Sequence, residues 1–438
     1  MSAFRFVVRA SFILLVGCLS LARYGLARLG IALTSPLTRS DAEVESAVAA
    51  LRGRVLRRAL ETLGATFIKL GQVMSTRPDL LAPEIIAELR HLQDRLPAFP
   101  GAREVIEREL GPPWRDAFEE LDERPIAAAS VAQVHRGVLA GEHRGTEVAV
   151  KVLRPDVRAT AEQDGRILLA LARVLERVSD RAQHAQLVEH LEHLVEGILE
   201  QTDLRIEAAN YARFHQNFRR TKGIRFPRVF EDLSGERIMT MEFVRGVKVD
   251  AIARSELPED LPRRLREAFL KMCFDDGFLH ADLHPGNFLV ESDGTVAIFD
   301  VGLVKQLSDE MLGHYIDFNR CLVMGDVADL MRHLRTYHSY VEGTVDWAEL
   351  ERDIARFHGQ FRKMSARDLE FGTLIDEIFS VGRKHGVRPV TEMTLMMVGL
   401  VTAEGIGKQL EPTSDSFGEV ARYLMPILAR RGMLPAAA

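Results

Sequence analysis

Cysteine is scarce in this chain of 438 residues: Cys18, Cys273 and Cys321 lie far apart and form no CxxC pair. That excludes a disulfide framework and a cysteine-built zinc site, and a reduced compartment with free thiols is the natural setting. An excess of positive charge is also missing. Lys and Arg number 57 against 63 Asp and Glu, so the chain lacks the basic footprint of a dedicated nucleic-acid binder and no nucleic acid is expected as a partner. No internal repeat occurs, and low complexity is confined to Ala436-Ala437-Ala438, which excludes a repeat architecture. Acidic residues are absent from the first forty positions, which carry Arg5, Arg9, Arg23, Arg28 and Arg39.

A long apolar run is missing there as well. The uninterrupted apolar or small stretch from Ala10 to Ala22 falls short of the ~20 residues that a spanning helix needs. No clear small-x-small site precedes a polar mature start, which disfavours a cleaved signal peptide. An arginine-rich, acid-free start fits a mitochondrial transit peptide. It fits better an anchor helix lying on, or dipping into, an anionic membrane surface. The plain alternative is a helix packed on the protein's own core. The rest has the apolar and charged fractions of an ordinary globular protein, long enough for two or three domains and a large core.

The most informative stretch is His280-Ala281-Asp282-Leu283-His284-Pro285-Gly286-Asn287, followed by two short apolar runs, Phe288-Leu289-Val290 and Val296-Ala297-Ile298, around Asp293-Gly294. The runs predict a β-hairpin with a tight turn. A loop carrying Asp282 and Asn287 enters the hairpin, and Asp300 follows it, so two carboxylates and an amide can meet at one end. Such oxygen donors suit Mg²⁺, and the order Asp, Asn, Asp-x-Gly is that of a protein-kinase catalytic loop and metal loop. A rival reading makes His280, Asp282 and His284 an HxDxH zinc set. It requires further His or Cys ligands and leaves Asn287 and Asp300 without a role.

The remainder of the chain bears on that choice. Val48 to Leu96 reads as helical, with an unusual Gly71 in mid-helix, where glycine costs ~1 kcal/mol against alanine and signals a close backbone approach. Lys69 and Gln72 share a face of that helix. Gly145 to Val152 alternates like a half-buried strand and ends in Val148-Ala149-Val150-Lys151, close to the kinase strand whose lysine holds the α/β-phosphates. The glycine-rich loop expected upstream is missing. Ala127, Ala128, Ala129 and Ser130 stand in its place, and alanine resists the positive φ that lets backbone approach a phosphate. Asp164 to Phe218 reads as helical and contains Glu207, the glutamate a kinase reading needs beside Lys151. His190 and His193 lie in solvated helical surroundings and read as surface residues rather than ligands. Phe226 to Val229 and Arg237 to Val244 read as strands. The second ends at Arg245-Gly246, like the hinge where adenine bonds the backbone, with Glu242 and Val244 as candidate contacts. After Leu261 the chain reads as nearly all helix except for the hairpin, with one helix stopping near Gly277.

Taken together, these segments resemble the UbiB/AarF atypical kinase family, the coenzyme-Q-biosynthesis kinase-like proteins. The matching stretches, in family order, are Lys69-Leu70-Gly71-Gln72 with Ser75-Thr76-Arg77-Pro78-Asp79; Ala127-Ala128-Ala129-Ser130; Asp203 with Glu207-Ala208-Ala209-Asn210; and His280 to Asn287. The likeness runs from Gly64 to Pro412, and its last motif alone is shared with aminoglycoside and choline kinases.

The resemblance implies an α+β, bilobal protein-kinase-like fold: a small N-lobe β-sheet, a mainly helical C-lobe and a family-specific N-terminal helical extension. The expected segments are 1–35 (membrane-associating), 36–120 (extension), 121–245 (N-lobe) and 246–438 (C-lobe). It implies ATP or ADP with Mg²⁺ as cofactors. Lys151 would hold the α/β-phosphates and pair with Glu207, and Asp282 would be the catalytic-loop aspartate. Asn287 and Asp300 would hold Mg²⁺, and Ala127 to Ser130 would cover the nucleotide. Lys69 and Gln72 would belong to the extension that lies where a kinase takes a protein substrate and contacts an acidic Glu-x-Asp pair, here represented by Asp203, which favours ATPase or small-molecule chemistry over protein phosphorylation. Implied partners are a membrane lipid or quinone precursor and quinone-biosynthesis enzymes. The implied location is the cytoplasmic face of a bacterial inner membrane, or a mitochondrial or plastid membrane in a eukaryote. Alternatives are a soluble small-molecule kinase and a non-catalytic nucleotide-gated scaffold of a lipid-enzyme complex. Three positions depart from the family pattern: Val301 stands for the usual Phe, Gln201 for the first acid of a Glu-x-Asp pair, and Ala65 for the Pro of a Gly-Pro. A pair of spanning helices that follows the kinase domain in some bacterial members is not expected here.

Overall fold

The computed structural model describes residues 3–34, 41–75, 81, 83–92, 97–112, 114–178, 187–252, 256–281, 283–324, 327–340, 343–361 and 370–434. The chain divides into two compact units, one of residues 1–213 and 227–243, the other of 214–226 and 244–438. It therefore passes between them more than once.

The first unit begins with helices α1 (Ala3–Thr34), α2 (Asp41–Leu63), α3 (Ala65–Ser75) and α4 (Pro83–Leu89). The stretch read as one helical region is thus broken, and the break between α2 and α3 falls at Gly64, whose φ of 96° belongs to the left-handed region. Gly71 sits in α3 where a Cβ would lie 2.3 Å from Leu92 Cδ1 and 2.6 Å from Leu60 Cδ1, so the close approach expected from sequence is real. Further on come α5 (Ala102–Leu110), α6 (Trp114–Ala117), α7 (Val157–Val178), α8 (Leu187–Glu200) and α9 (Leu204–Phe218), whose last turn, from Phe214 on, belongs to the second unit. Phe67, Ile68, Leu89, Ile167 and Ile198 form the centre of a buried core shared by α1, α2, α3, α4, α7 and α8.

The same unit holds a sheet built from β1 (Phe118–Leu121), β2 (Ala127–Ala128), β3 (Ala132–Leu139), β4 (Glu147–Leu153), β6 (Val229–Phe230) and β7 (Ile238–Glu242); β5 (Ile224–Arg225) belongs to the second unit. The order is β1-β3-β4-β7-β6, with β2 on β3. β4 is central and antiparallel to both neighbours, Lys151 facing Val134 on β3 and Met239 on β7. Its two-residue period sends Val148, Val150 and Val152, each 0% exposed, into a core with Ile106, Trp114 and Phe118. Each such side chain contributes about 1.5–3 kcal/mol by burial. Ala149 and Lys151 consequently face the other side of the sheet.

The second unit contains β8 (Val247–Lys248), α10 (Leu261–Leu270), β9 (Phe278–His280), β10 (Phe288–Val290), β11 (Val296–Ile298) and β12 (Val304–Gln306). Beyond these it is mostly helical: α11 (Asp309–Met324), α12 (Val327–Tyr337), α13 (Trp347–Phe361), α14 (Phe371–Lys384), α15 (Thr391–Leu410) and α16 (Ser416–Arg430), with short strands β13 (His338–Ser339) and β14 (Arg388–Pro389) paired between them. The expected hairpin is β10–β11, Phe288 facing Ile298 and Val290 facing Val296. Its turn is wider than a two-residue Asp-Gly turn: Glu291 N–H donates to Thr295 O at 2.8 Å, leaving Ser292-Asp293-Gly294 as a three-residue loop with Gly294 at φ 82°. α10 runs on as one wide turn, Lys271–Asp276, and stops at Gly277 with φ 55°.

Candidate nucleotide and metal site

The candidate residues fall into two groups, one in each unit. In the first, the pleat of β4 presents Lys151, and α9 presents Glu207 near its N-terminus. Lys151 Nζ donates to both carboxylate oxygens of Glu207, at 2.7 and 2.8 Å, with the two side chains only 16% and 7% exposed. Such a charge-assisted, two-pronged contact fixes the ammonium in place. Asp203 starts α9: its Oδ1 accepts from the Arg205 N–H at 3.1 Å, as an N-cap does. Arg205 also donates from Nε and Nη2 at 2.9 and 2.6 Å, and that side-chain hydrogen bonding holds the Asp203 carboxyl below the usual carboxylate range. Asp203 is thus engaged by Arg205. Half-buried Lys69 makes no ion pair among the described residues. Gln72, one turn on along α3, has an enclosed Oε1 with no hydrogen-bond partner among the described residues.

The alanine segment is a strand and a turn rather than a helix. Ala127 and Ala128 pair with Val134 and Gln133, and the Ala129 N–H donates to Ala132 O at 2.8 Å. Ser130 is fully buried. None of these residues has a positive φ; among the described non-glycine residues that conformation occurs at Asp156 and Asp300. Arg154, three residues beyond Lys151, closes the turn: its Nε and Nη2 donate to Ala129 O at 3.0 and 2.9 Å. Nothing in the sequence pattern ties Arg154 to a carbonyl 25 positions earlier. Glu242 ends β7 opposite Val148, half-buried, and Val244 is buried.

In the second unit, the hairpin places Asn287 and Asp300 just beyond the Phe288–Ile298 pair. Phe299 N–H donates to Asn287 O at 2.9 Å, and His280 Nε2–H donates to Phe299 O at 3.0 Å. Asn287 is buried, Val301 is 0% exposed, and Asp300 between the pinned residues is exposed with φ 54°. A left-handed aspartate costs about 1 kcal/mol or more, and such strain collects at functional positions. An amide oxygen and a carboxylate are hard donors of the kind Mg²⁺ takes. Asp282 lies outside the described residues.

The zinc alternative fares poorly. His280 is fully buried, with Nε2 spent on Phe299 O, and His284 Nδ1 accepts from the Gly286 N–H at 3.1 Å. Among the described residues the one group of three potential metal ligands is Glu349, Asp353 and His385, far along the chain. Asp353 there already pairs with Lys384 at 2.6 Å and His385 at 2.9 Å, and these hydrogen bonds, Lys384 first, lower its carboxyl to about 2. It is an ion-pair network.

Residues 91–334 match the ABC1 atypical kinase-like domain and residues 354–415 the UbiB helical domain. A protein of Aeromonas salmonicida named "Probable protein kinase UbiB" is 33% identical over 383 residues, covering 85% of this chain and 70% of that protein. One of the same name from Aliivibrio fischeri is 31% identical, covering 86% and 71%. A solved Mycobacterium tuberculosis structure, the complex of Rv3197 with erythromycin, aligns with a TM-score of 0.56 at 21% identity, over 83% of this chain and 92% of that one, a likeness of fold alone. With the domain match covering more than half its length and these relatives matching along most of theirs, the chain belongs to the UbiB family of ABC1 atypical kinase-like proteins.

Proposed function

We propose that this chain is a membrane-associated, kinase-like ATPase or small-molecule phosphotransferase that binds Mg-ATP or Mg-ADP and serves the biosynthesis of ubiquinone or a related isoprenoid lipid. The observation that carries the reading is the Lys151–Glu207 pair on the exit face of the central strand. There the carboxylate holds one cation in place, and in a kinase a lysine so paired would hold the α/β-phosphates. Mg²⁺, when bound, would neutralise phosphate charge, and Asn287 and Asp300 are the residues that would hold it. The alanine turn, held by Arg154 without any left-handed residue, would keep backbone further from a bound phosphate than a glycine loop does. With the Lys69 helix, that turn argues for water or a small molecule as phosphate acceptor over a protein. The name of the relatives, probable protein kinases, leaves that acceptor to experiment.

The test is calorimetry of the full chain with MgADP and MgATP, followed by turnover with and without anionic vesicles and a phenol-like quinone precursor. Asp300→Asn removes one carboxylate charge from the metal position and is expected to weaken Mg-dependent nucleotide binding by roughly tenfold, about 1.4 kcal/mol. Unchanged Mg-dependent affinity would overturn the metal assignment. Binding without turnover in every condition would replace the enzyme by the nucleotide-gated scaffold.

A further inference from the structure

We propose that α1 is a monotopic element: it stays docked on the protein along one stripe and lays its opposite, apolar face on an anionic bilayer without crossing it. The inference rests on the membrane-associated reading above and adds the geometry of the contact. By length and composition alone the opposite is available, since Phe6–Leu29, 24 residues, is long and apolar enough to span. This segment is longer than the run visible in the sequence because the helix continues through Arg9 and Arg23.

Its docking argues against crossing. Arg9, Ile13, Val16, Ser20 and Tyr24 recur at helical spacing and, with Ala10, are the half-buried or buried side chains of α1 among the described residues, with Ile13 and Val16 inside the core of α2, α3 and α7. Both ends of the stripe are pinned. Arg9 donates from Nε and Nη2 to Asp164 at 2.7 and 2.8 Å, and from Nη2 to Leu63 O at 2.9 Å. The Asp164 side chain on α7 is 0% exposed. Fifteen residues on, Arg52 Nε on α2 donates to Tyr24 Oη at 2.9 Å. A crossing helix would carry Arg9 into hydrocarbon or strip it from Asp164, leaving a buried carboxylate with its charge uncompensated. It would also pull Ile13 and Val16 from their core.

The occupant of the free face follows from its chemistry. Phe4, Leu21 and Leu26 are 76%, 71% and 73% exposed, and Val7, Leu14, Leu15 and Leu29 are exposed beside them, a continuous apolar surface rather than scattered residues. Arg23 and Arg28 are exposed on the same helix, and α1 has no acidic residue. Apolar area flanked by cations with no opposing carboxylate is complementary to acyl chains beneath anionic headgroups.

Cys18 gives the test. It is exposed, whereas Cys273 and Cys321 are buried, and it lies midway along Phe6–Leu29. A fluorophore on Cys18 of the full chain is bound to phosphatidylcholine–phosphatidylglycerol vesicles carrying nitroxide quenchers at shallow or deep acyl positions. Flat docking puts the label about 5–10 Å into the boundary region, whereas spanning puts it near the midplane of a core about 30 Å thick. Flotation with stronger shallow quenching is the expected result. Flotation with stronger deep quenching overturns the flat geometry and leaves membrane association standing. Failure to float, including a lipid-free dimer that buries the label, overturns both. Arg9→Ala and the shape-conserving Asp164→Asn are expected to shift quenching toward the deep probe. An unchanged ratio in both variants overturns the role given to this pair.

Discussion

Lys151 and Glu207 form a nearly enclosed ion pair, and such pairs respond differently to losing one partner and losing both. Removing one leaves a desolvated charge and costs about 3–5 kcal/mol, while replacing both with apolar groups of similar volume is often neutral. Glu207→Leu alone is therefore expected to lower the urea midpoint of the first unit clearly. Lys151→Met combined with Glu207→Leu is expected to recover most of that stability while nucleotide affinity stays lost. A double variant that binds nucleotide normally would make the pair purely structural. These two residues were legible because each sits in a short local pattern, a valine-rich strand carrying a lysine and a helix beginning near an aspartate. The partner of Asp203 was not legible. A resemblance suggested the Lys69 helix, but the carboxylate caps its own helix and binds Arg205 two positions away. Local geometry reaches a carboxylate before a distant lysine does.

Among the elements, α3 is packed closely at Gly71. Gly71→Ala gains about 1 kcal/mol of helix propensity. The new methyl, however, would press on Leu60 and Leu92, both buried, and overpacking of this kind costs about 1–3 kcal/mol. The substitution is expected to destabilise on balance, read as a lower urea midpoint with an unchanged slope. A raised midpoint would mean that the leucines turn aside freely. The glycine gave itself away in the sequence by its cost in mid-helix, but its neighbours did not, since Leu92 lies 21 positions on. The hairpin was equally readable in its strands and less so in its turn, because Glu291 and Thr295 add a rung that alternation alone does not predict. Least legible was α1. Its apolar run gave the helix, while the Arg9–Asp164 contact that docks it joins residues 155 apart.

At the scale of the whole molecule, the two units are expected to differ in their response to acid. In the second, His333 and His338 are buried, and burial lowers them to about 4 and about 3 from an ordinary 6.5. Asp317, 3.6 Å from His333 Nδ1, pulls upward and is outweighed. Folded, both rings stay neutral below the pH at which the unfolded chain takes up protons. Their contribution is complete above about pH 6.5 and is lost as pH falls through that value toward 4 and 3. Thermal melts at pH 7.5 and pH 5 are expected to move the transition of the second unit down relative to the first, and His338→Leu to reduce the shift. Equal shifts in wild type and variant would place the acid sensitivity elsewhere.

The position of β4 between β3 and β7 has a consequence for how the protein is made. β3 precedes β4 by a short turn, but Met239, opposite Lys151 on the other side, is not yet synthesised when β4 leaves the ribosome. At 5–20 residues per second that neighbour follows roughly 5–20 s later. Meanwhile one edge of a valine-rich strand stands unpaired, and the stretch that emerges just before that neighbour, residues 214–226, belongs to the other unit. Nascent chains halted before residue 227 therefore expose the strand that carries Lys151, and they are the form of this protein most prone to pair with a second copy or to recruit a chaperone.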